Sequence, residues 1–499
     1  MRSSVHSIRH VPRAPPVPAD AGAGSAPAAF SDPDASAAEG GLFAPQRRQL
    51  VIGLVLTVTL VAFEAMAVAA IMPDVKDDLG GLGLYGWVFS GFFLGSLLGI
   101  VVAGQLADSR GLVLPYAVGL GLFSAGLIVG GAAGSMPMLV VGRVLQGFGA
   151  GAIPAIAYAS IGRGIPGALR PKMFAVLSTA WVVPGLVGPS AALLVEHALS
   201  WRWVFLILVP LVVVAGVMTV PALVAMGAPE GASLDDAAHA VRRTDQNLRL
   251  RQVLLLVLGV GAAFAATSGV PAAVAVVLLV AGVPLAVNAL VHLLPDGTLR
   301  LERGIPATVA VRGLLTFGFF AADAYVPLAV VDGRGGSSWI AGAALTASAL
   351  TWSAASWIQA NLIDRIGPRA LDRIGFGALA TGIAVMLAVA LGLPVGLAVV
   401  AWAIAGFGIG IAYAPQAVTV LASAKPGEEG SASAAIQLAD AVGIALGTGV
   451  AGAIISLADG RGWAVDQSVT WVFALALVGA VGGLLAAGRM PRRVPAQAA

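Results

Sequence analysis

Apolar runs long enough to cross a bilayer alternate with short polar segments from residue 49 to residue 487. A helix needs about 20 apolar residues to span the hydrocarbon layer, so each run of that length predicts one membrane helix. The predicted spans lie near 49–73, 84–107, 112–133, 137–162, 173–195, 203–226, 252–269, 271–293, 305–331, 338–361, 371–392, 394–421, 431–456 and 466–487. The pattern therefore predicts an all-α integral membrane protein with fourteen transmembrane helices, and an even number places both termini on one side.

The seventh and eighth predicted spans share one apolar block, 252–293, whose only interruption is around Gly269 and Pro271. Glycine and proline favour a turn at that point. Two arrangements stay open, because the block can form either two complete spans or a single re-entrant excursion.

Polar segments divide the chain into units. Residues 1–46 are rich in Ala, Pro, Ser and Gly and predict a disordered tail, because this composition cannot bury enough apolar surface to fold. They also lack the apolar core of a signal peptide. The other predicted units are a six-helix bundle at 47–226, a solvated loop at 227–251, two extra helices with their following loop at 252–304, a second six-helix bundle at 305–488, and a tail at 489–499.

The chain contains an internal duplication. The sequence GQLADSRG at 104–111 returns in degenerate form as ANLIDRIG at 360–367, and GFGAG at 147–151 returns as GFGIG at 406–410. The first pair is shifted by 256 positions and the second by 259. Both pairs fall at matching places among the predicted spans, so the two bundles are expected to be pseudo-symmetric.

These motifs resemble those of a known family. GQLADSRG resembles the loop 2–3 signature of the major facilitator superfamily, and RVLQGFGAG at 143–151 is similar to its span 4 signature. PGLVGPSAA at 184–192 is similar to the span 5 signature of its proton-coupled exporters, and WRWVFLILVP at 201–210 resembles the opening of span 6 in its fourteen-span drug:proton antiporters. Ser109, Leu112, Val113 and Leu208 depart from these patterns. The resemblance implies two pseudo-symmetric six-helix bundles plus two inserted helices that work by alternating access.

Composition excludes other classes of protein. The chain is 58% hydrophobic and 11% charged, with a mean hydropathy of +0.93, which leaves too little polar surface for a soluble globule of 499 residues. It has no cysteine, so disulfides, thiol catalysis and cysteine metal sites are impossible. The sequence shows no phosphate-binding loop, no intramembrane metal cluster and no nucleophile beside a base. We therefore expect no enzyme activity, no cofactor, no metal and no nucleic-acid partner.

Basic residues set the expected orientation. With the predicted spans, 22 of the 28 Lys and Arg residues fall on the side of the termini, and two lie within spans. The four on the other side are Lys76, Arg202, Arg334 and Arg461. Because cytoplasmic loops carry the excess of basic residues, both termini are expected in the cytoplasm and the protein in the cell membrane.

Five ionisable residues lie well inside predicted spans, where each costs about 2.5–3.5 kcal/mol on insertion scales. At a rise of about 1.5 Å per residue, some come to similar depths. Glu64 can meet Arg143 in the first half, Arg312 can meet Asp440 in the second, and Asp323 comes out near the outer mouth. These five residues are the candidate proton-coupling residues. Ionisable groups at the ends of the predicted spans are not included among them.

For Glu64 the functional interpretation is favoured over a structural ion pair. Burial favours the protonated carboxyl group and a nearby arginine favours the carboxylate, so a change of partner or hydration can move a proton. The family resemblance agrees, because proton-coupled exporters of the superfamily commonly carry an acidic residue in span 1 and an arginine in span 4. For Arg312 with Asp440, a structural ion pair and a functional pair stay equally open.

The repeated loop motif supplies a candidate conformational latch. The resemblance implies that Asp108 accepts from the N-terminus of the span beginning near Ser431, where the helix dipole favours a carboxylate. Simple capping of the following helix would use the same residue and stays open. The candidate latch residues are Asp108, Arg110, Gly111, Asp364, Arg365 and Gly367.

Two further sets complete the candidate site. The antiporter motif consists of Pro184, Gly185, Gly188 and Pro189. Its prolines lack a backbone N–H donor and its glycines allow close helix contact, so the helix can kink against its neighbours. The candidate substrate-binding residues lie on spans whose family counterparts line the cavity, and an aromatic cavity suits bulky lipophilic compounds and cations. They are Gln146, Phe317, Phe320, Trp352, Tyr413 and Gln416, with Phe319 beside them, although most membrane aromatics only pack or face lipid.

The sequence therefore predicts a secondary transporter that exports lipophilic drugs, antibiotics or natural products across the cytoplasmic membrane in exchange for protons. Its expected partners are a small lipophilic substrate, protons and the lipid bilayer, and it is expected to work as a monomer. A solute:proton symporter of the same fold is the first alternative. A membrane sensor or scaffold that transports nothing is the second.

Overall fold

A computed structural model of the chain describes residues 41–166, 169–180, 182–227, 236–423 and 429–493. Of the predicted tails at 1–46 and 489–499 and the predicted loop at 227–251, residues 1–40, 494–499 and 228–235 lie outside the described residues. The side chain of Asp108 also lies outside them, although its backbone belongs to a described helix. The described part contains helices and no β-strand.

In the first half of the chain, the described residues form eight α-helices. A left-handed glycine follows several of them, for example Gly111, whose φ of 80° most residues avoid and which therefore ends its helix. The helices are α1 (Arg48–Leu79), α2 (Tyr85–Arg110), α3 (Val113–Gly131), α4 (Met136–Gly164), α5 (Arg170–Thr179), α6 (Val182–Ala198), α7 (Trp201–Leu206) and α8 (Leu208–Ala225).

The second part begins with the two extra helices, α9 (Asp236–Ala265) and α10 (Ala272–Leu293). The second bundle follows as α11 (Ile305–Asp323), α12 (Val326–Leu328), α13 (Ser338–Ile366), α14 (Pro368–Ala390), α15 (Leu397–Ala422), α16 (Glu429–Asp459) and α17 (Val465–Ala486). The predicted span 305–331 is therefore not one continuous helix. It breaks after Asp323, because Pro327 has no N–H to donate to the carbonyl four residues earlier.

Twelve of the described helical segments are long and apolar enough to cross a membrane. The two remaining predicted spans are α13, which carries many Ser and Thr, and the segment of α5 and α6, which is interrupted. These two segments pack against each other through α6 and α13 at the boundary between the halves. With them the predicted fold of fourteen transmembrane helices is confirmed.

Contacts between loops define two faces of the molecule. On the first, which we name the terminal face, Gly164 at the end of α4 packs against Leu50 near the start of α1. Arg489, just after α17, donates to the carbonyl oxygen of Arg300 over 3.2 Å on the same face. On the opposite or distal face, Arg202 donates to Asp78 over 2.7 Å. The two described chain ends therefore share one face.

The extra helices α9 and α10 run from face to face. On the distal side, Ser456 donates to the carbonyl oxygen of Thr267 over 2.5 Å, and the Trp87 indole donates to Ser268 over 3.0 Å. On the terminal side, Gln105 donates to the carbonyl oxygen of Gln246 over 2.5 Å. Since the turn reaches the distal face and the helix start reaches the terminal face, the block forms two complete spans and the re-entrant alternative is wrong.

The duplicated glycines give the two halves the same internal packing. A Cβ at Gly147 would lie 1.9 Å from the Phe92 carbonyl oxygen, so only glycine lets α4 come this close to α2. In the second half, a Cβ at Gly406 would lie 2.2 Å from the Ser348 carbonyl oxygen, where α15 meets α13. The repeated motif therefore holds the fourth helix of each bundle against the second, and both fourth helices are placed alike.

Candidate functional site

In the first half, α1 and α4 meet at a buried polar cluster. Glu64 is 1% exposed, Arg143 2% and Gln146 0%. Arg143 forms an ion pair with Glu64 Oε1, and Gln146 Nε2 donates to the same oxygen over 3.1 Å. The sequence prediction that Glu64 meets Arg143 is confirmed by this geometry. Gln146, predicted to bind substrate, is part of this carboxylate cluster, and its contact with substrate stays a prediction.

The Arg143 guanidinium is held from several directions. Its Nε donates to the Val88 carbonyl oxygen of α2 over 3.0 Å, and its Cζ lies 4.6 Å from the centre of the Phe92 ring. The arrangement joins α1, α2 and α4 through one charge. Glu64 Oε2, by contrast, is buried and has no hydrogen-bond donor among the described residues. Half of this carboxyl group is therefore satisfied and half is not.

In the second half, Arg312 and Asp440 are paired as predicted. Arg312 Nε donates to Asp440 Oδ1 over 2.8 Å, and the Tyr413 hydroxyl donates to Asp440 Oδ2 over 2.8 Å. Arg312 also donates to the Tyr413 carbonyl oxygen over 2.6 Å and lies with its Cζ 3.1 Å from the centre of that ring. The Asp440 side chain is 20% exposed, so this network is more open than the one around Glu64.

Asp323 takes part in neither pair. Its Oδ1 accepts from the indole of Trp402 over 2.7 Å, and the described residues include no cation in an ion pair with it. The structure seats the half-buried carboxyl group of Asp323 against the fully buried Trp402. Trp402 lies five residues from the start of α15 at Leu397, and the location of Asp323 near the outer mouth stays a prediction.

The duplication relates Asp323 to Glu64. Arg143 lies four residues before GFGAG in α4, and Trp402 lies four residues before GFGIG in α15. Each of them donates to a carboxylate on the first helix of its own half, Arg143 to Glu64 and Trp402 to Asp323. The two halves therefore carry the same carboxylate position with different partners, a charged guanidinium in one and a neutral indole in the other.

Sequence reasoning missed one buried acid. Asp372 in α14 is 0% exposed and accepts from Gln416 Nε2 of α15 over 2.5 Å. It was set aside because it lies near a span end. The signal was available, since Asp372 shares a helix face with Gly375, Phe376 and Leu379 at the 3–4 residue spacing of a buried stripe. Gln416, predicted to bind substrate, is fully buried with it.

Aromatic rings connect the two acidic regions of the second half. Phe319 stacks on Trp402 with ring centres 5.7 Å apart and meets the edge of Trp352 at 5.5 Å. Trp352 lies 5.5 Å from Tyr413, and Phe320 packs beside Trp352 at 6.5 Å. The rings run from Asp323 to Asp440, which brings together three of the predicted substrate residues.

Phe317 is separated from that aromatic row. It lies on another side of α11, where a Cβ at Gly479 of α17 would approach its ring to within 2.8 Å. Its packing there is between helices of one bundle. Phe320 instead faces the other half, since its ring centre lies 6.2 Å from that of Phe93 in α2.

The antiporter motif lies on the buried side of α6, and all four of its residues, Pro184, Gly185, Gly188 and Pro189, are buried. A Cβ at Gly185 would lie 2.9 Å from the Ala349 Cβ of α13, and a Cβ at Gly188 would lie 3.6 Å from the Met66 Cβ of α1. The motif therefore contacts both its own bundle and the opposite one.

The latch residues are only partly described. The side chains of Asp108 and Ser431 lie outside the described residues. Arg110, Asp364 and Arg365 are exposed, and in the described part of the chain none of the three side chains makes an ion pair. Gly111 and Gly367 take positive φ of 80° and 81° at the two equivalent helix ends. The Arg492 carbonyl oxygen also lies so close to Gly367 that a side chain at this position would clash with it.

The two halves are closed on each other at the distal face. Lys76 of α1 forms an ion pair with Asp332, which follows α12. A Cβ at Gly86 would lie 2.3 Å from the Gly452 Cα, so α2 and α16 touch backbone to backbone there. Tyr325 donates to the Thr448 carbonyl oxygen over 2.9 Å beneath this contact. Passage through the distal face would require these contacts to separate.

Comparison with known proteins gives a consistent result. A model of the Major Facilitator Superfamily matches residues 54–448. A probable multidrug-efflux transporter of Mycobacterium tuberculosis (strain ATCC 25618 / H37Rv) is 30% identical over 465 residues, which are 88% of this chain and 94% of that protein. A multidrug transporter protein of Bacillus subtilis (strain 168) is 32% identical over 170 residues, covering 34% of this chain and 31% of that protein.

Solved structures share the fold at low sequence identity. A D-xylose-proton symporter superposes with a TM-score of 0.64 at 14% identity, covering 89% of this chain and 98% of that one. An auto-inhibited peptide transporter superposes with a TM-score of 0.63 at 16% identity, covering 91% and 99%. At these identities the likeness concerns the fold alone.

Proposed function

The chain belongs to the major facilitator superfamily, and from that premise we propose that it exports lipophilic drugs, antibiotics or natural products across the cytoplasmic membrane in exchange for protons. The relatives named as multidrug transporters support the substrate class. The chain is a multi-pass membrane carrier and not an enzyme. We further propose that it exchanges protons for substrate, transports substrate outward and acts as a monomer.

One observation supports proton exchange most strongly, namely the half-satisfied Glu64. An ionised carboxylate buried with an unpaired oxygen is costly, and so is a buried arginine that loses its partner. Protonation of Glu64 removes the charge that holds Arg143, and Arg143 also bonds the backbone of α2. A proton at Glu64 therefore changes how α1, α2 and α4 are joined, which links proton binding to helix arrangement.

The substrate would bind along the aromatic row of the second half. Ring faces attract cations and pack with apolar bodies, while Asp440 and Asp323 lie at the two ends of the row. The row faces the first half through Phe320 and Phe93. A lipophilic cation placed there would touch both halves, as alternating access requires.

The proposed orientation follows from the basic residues, most of which, among the described residues, lie on the terminal face, so we assign that face to the cytoplasm. The distal contacts of Lys76 with Asp332 and of Gly86 with Gly452 then close the external side. We also propose, from the family resemblance, that Asp108 and its loop act as a latch on the cytoplasmic side, with capping of the following helix as the alternative.

Uphill transport in proteoliposomes tests the proposal. An imposed proton gradient should drive a lipophilic dye against its own gradient, in the direction opposite to the protons, and Glu64→Gln should abolish this while preserving side-chain volume. Glu302→Gln is the matched control, because Glu302 is exposed in the loop before α11. Dye movement in the same direction as the protons would indicate a symporter instead. Wild-type pumping by the Glu64→Gln protein would remove Glu64 from the mechanism.

A further inference from the structure

A second buried carboxyl group has the hydrogen bonding of a neutral acid. Asp372 and Gln416 are both fully buried and are joined by one bond, from Gln416 Nε2 to Asp372 Oδ1 over 2.5 Å. The two remaining oxygens, Asp372 Oδ2 and Gln416 Oε1, are both buried and have no donor among the described residues. An ionised Asp372 would leave both of them unsatisfied.

One added proton satisfies both oxygens. A carboxylic acid and a primary amide can pair through two bonds, in which the amide N–H donates to one carboxyl oxygen and the acid O–H donates to the amide oxygen. The first of these bonds is already in place. We propose that Asp372, paired with Gln416, is a proton-binding site of the second half, separate from the site at Glu64.

The charged groups around Asp372 leave it without an ion pair. From α11, Arg312 acts on it electrostatically, but the guanidinium is bonded to Asp440 of α16 and to the Tyr413 carbonyl of α15. On α14 itself, Arg369 donates to the Met490 carbonyl over 2.7 Å. Arg369 in turn lies near three further charges, which are Arg373 on α14, Arg492 after α17 and Arg303 before α11.

Arg312 gives this site a way to exchange its proton for substrate, on the premise that the protein is the proton-coupled exporter proposed above. Asp440 is partly exposed at the end of the aromatic row, so a cationic substrate can take the place of Arg312 beside it. The freed guanidinium then pairs with Asp372, whose Oδ2–H proton leaves. One positive charge arrives as substrate and one leaves as a proton, so the charge of the site is unchanged.

The position of Asp372 provides an exit for the proton. It is four residues from the start of α14 at Pro368, hence roughly 6 Å from the terminal face along the helix. Glu64 lies deep in α1, fifteen residues before its distal end at Leu79. The two carboxyl groups are thus on different helices and at different depths.

Infrared spectroscopy of the purified full-length protein tests the assignment without requiring transport. We expect a carboxylic acid absorption at neutral pH that shifts when aspartate is labelled with carbon-13 and decreases when a lipophilic cationic dye binds. Asp372→Asn should remove it and still fold, because the asparagine amide can donate to Gln416 Oε1 as the acid does. Asp323→Asn, Glu64→Gln and the exposed-loop control Asp296→Asn should keep it.

Proton release on dye binding provides the second measurement. Asp372→Asn should release fewer protons per bound dye than the wild type. Gln416→Leu, which removes the amide partner, should shift the acid absorption in frequency, as expected for a positioning residue. An unchanged absorption and unchanged release in Asp372→Asn would overturn the site. If the proposed transport were wrong instead, dye would release no protons from any variant while the acid absorption at Asp372 remained.

Discussion

The two halves of the molecule place a carboxylate at the same position and give it different partners. Glu64 is fully buried and shares one oxygen between Arg143 and Gln146, whereas Asp323 is half-buried and accepts one bond from the Trp402 indole. Protonation of Glu64 must break an ion pair, and protonation of Asp323 breaks none. The duplication therefore preserved the place of the acid and gave it a charged partner in the first half and a neutral partner in the second.

This difference suggests a division of work. A charge that locks three helices together is suited to couple a proton to movement, since gaining or losing it changes the packing of α1, α2 and α4. A carboxylate with a neutral partner beside an aromatic row is suited to attract a cation. We therefore expect substitutions in the first half to affect coupling and stability, and those around Asp323 to affect which compounds are carried.

The largest expected effect comes from breaking the charged pair. Arg143→Ala leaves a buried carboxylate without its cation, which typically costs about 3–5 kcal/mol. The protein should unfold at a clearly lower temperature in detergent and lose transport. Arg461→Ala, on an exposed distal loop, serves as the control and should change neither. An unfolding temperature for Arg143→Ala equal to that of the control would show that the pair contributes no stability.

A smaller effect, limited to cationic substrates, is expected at Asp323, the counterpart of Glu64 in the second half. Asp323→Asn retains an oxygen that can accept from Trp402, so the fold should be unaffected. Loss of the charge should weaken binding of lipophilic cations by about tenfold, equivalent to about 1.4 kcal/mol, and leave neutral compounds unaffected. Efflux of matched cationic and neutral dyes from cells measures this difference. An equal loss for both classes would place Asp323 in coupling and not in selectivity.

The smallest effect is expected when only the neutral donor is removed. Trp402→Phe deletes the bond to the Asp323 carboxylate and keeps a ring to stack on Phe319, so the loss should be about 1.5–3 kcal/mol of stability, as for a hydrogen bond to a charged group. Transport should stay within about twofold of wild type, since the substitution leaves the charge of Asp323 in place. Thermal unfolding and dye efflux should be measured for Trp402→Phe and Arg143→Ala side by side, to compare the indole bond of the second half with the ion pair of the first. Equal losses in the two variants would mean that the halves do not differ in the way described.

Much of the fold could be predicted from the sequence, because apolar run length is nearly sufficient to locate a membrane helix. The predicted span 271–293 appears as Ala272–Leu293, and 112–133 appears as Val113–Gly131. The break after Asp323 was missed although Pro327 signals it. The duplicated glycines predicted that the two bundles are pseudo-symmetric. In both bundles these glycines allow the same close backbone contact between the second and fourth helices.

The candidate site was less accessible to sequence reasoning. Depth along a helix was enough to pair Glu64 with Arg143 and Arg312 with Asp440. It could not pair Asp323 with Trp402, because that contact depends on the rotation of α11 against α15, which a single sequence does not fix. Asp372 lies near a span end and is therefore not among the predicted intramembrane residues, although its position on an apolar helix face indicates that it is buried.

Drug-induced proton release from detergent-purified protein tests the central claim, that Glu64 exchanges a proton when substrate binds, most directly. Wild type and Glu302→Gln should release protons when a lipophilic dye is added in weakly buffered solution. Glu64→Gln should bind the same dye and release clearly fewer protons per dye bound. Undiminished release from the Glu64→Gln protein would contradict the account and move the coupling site to the second half of the molecule.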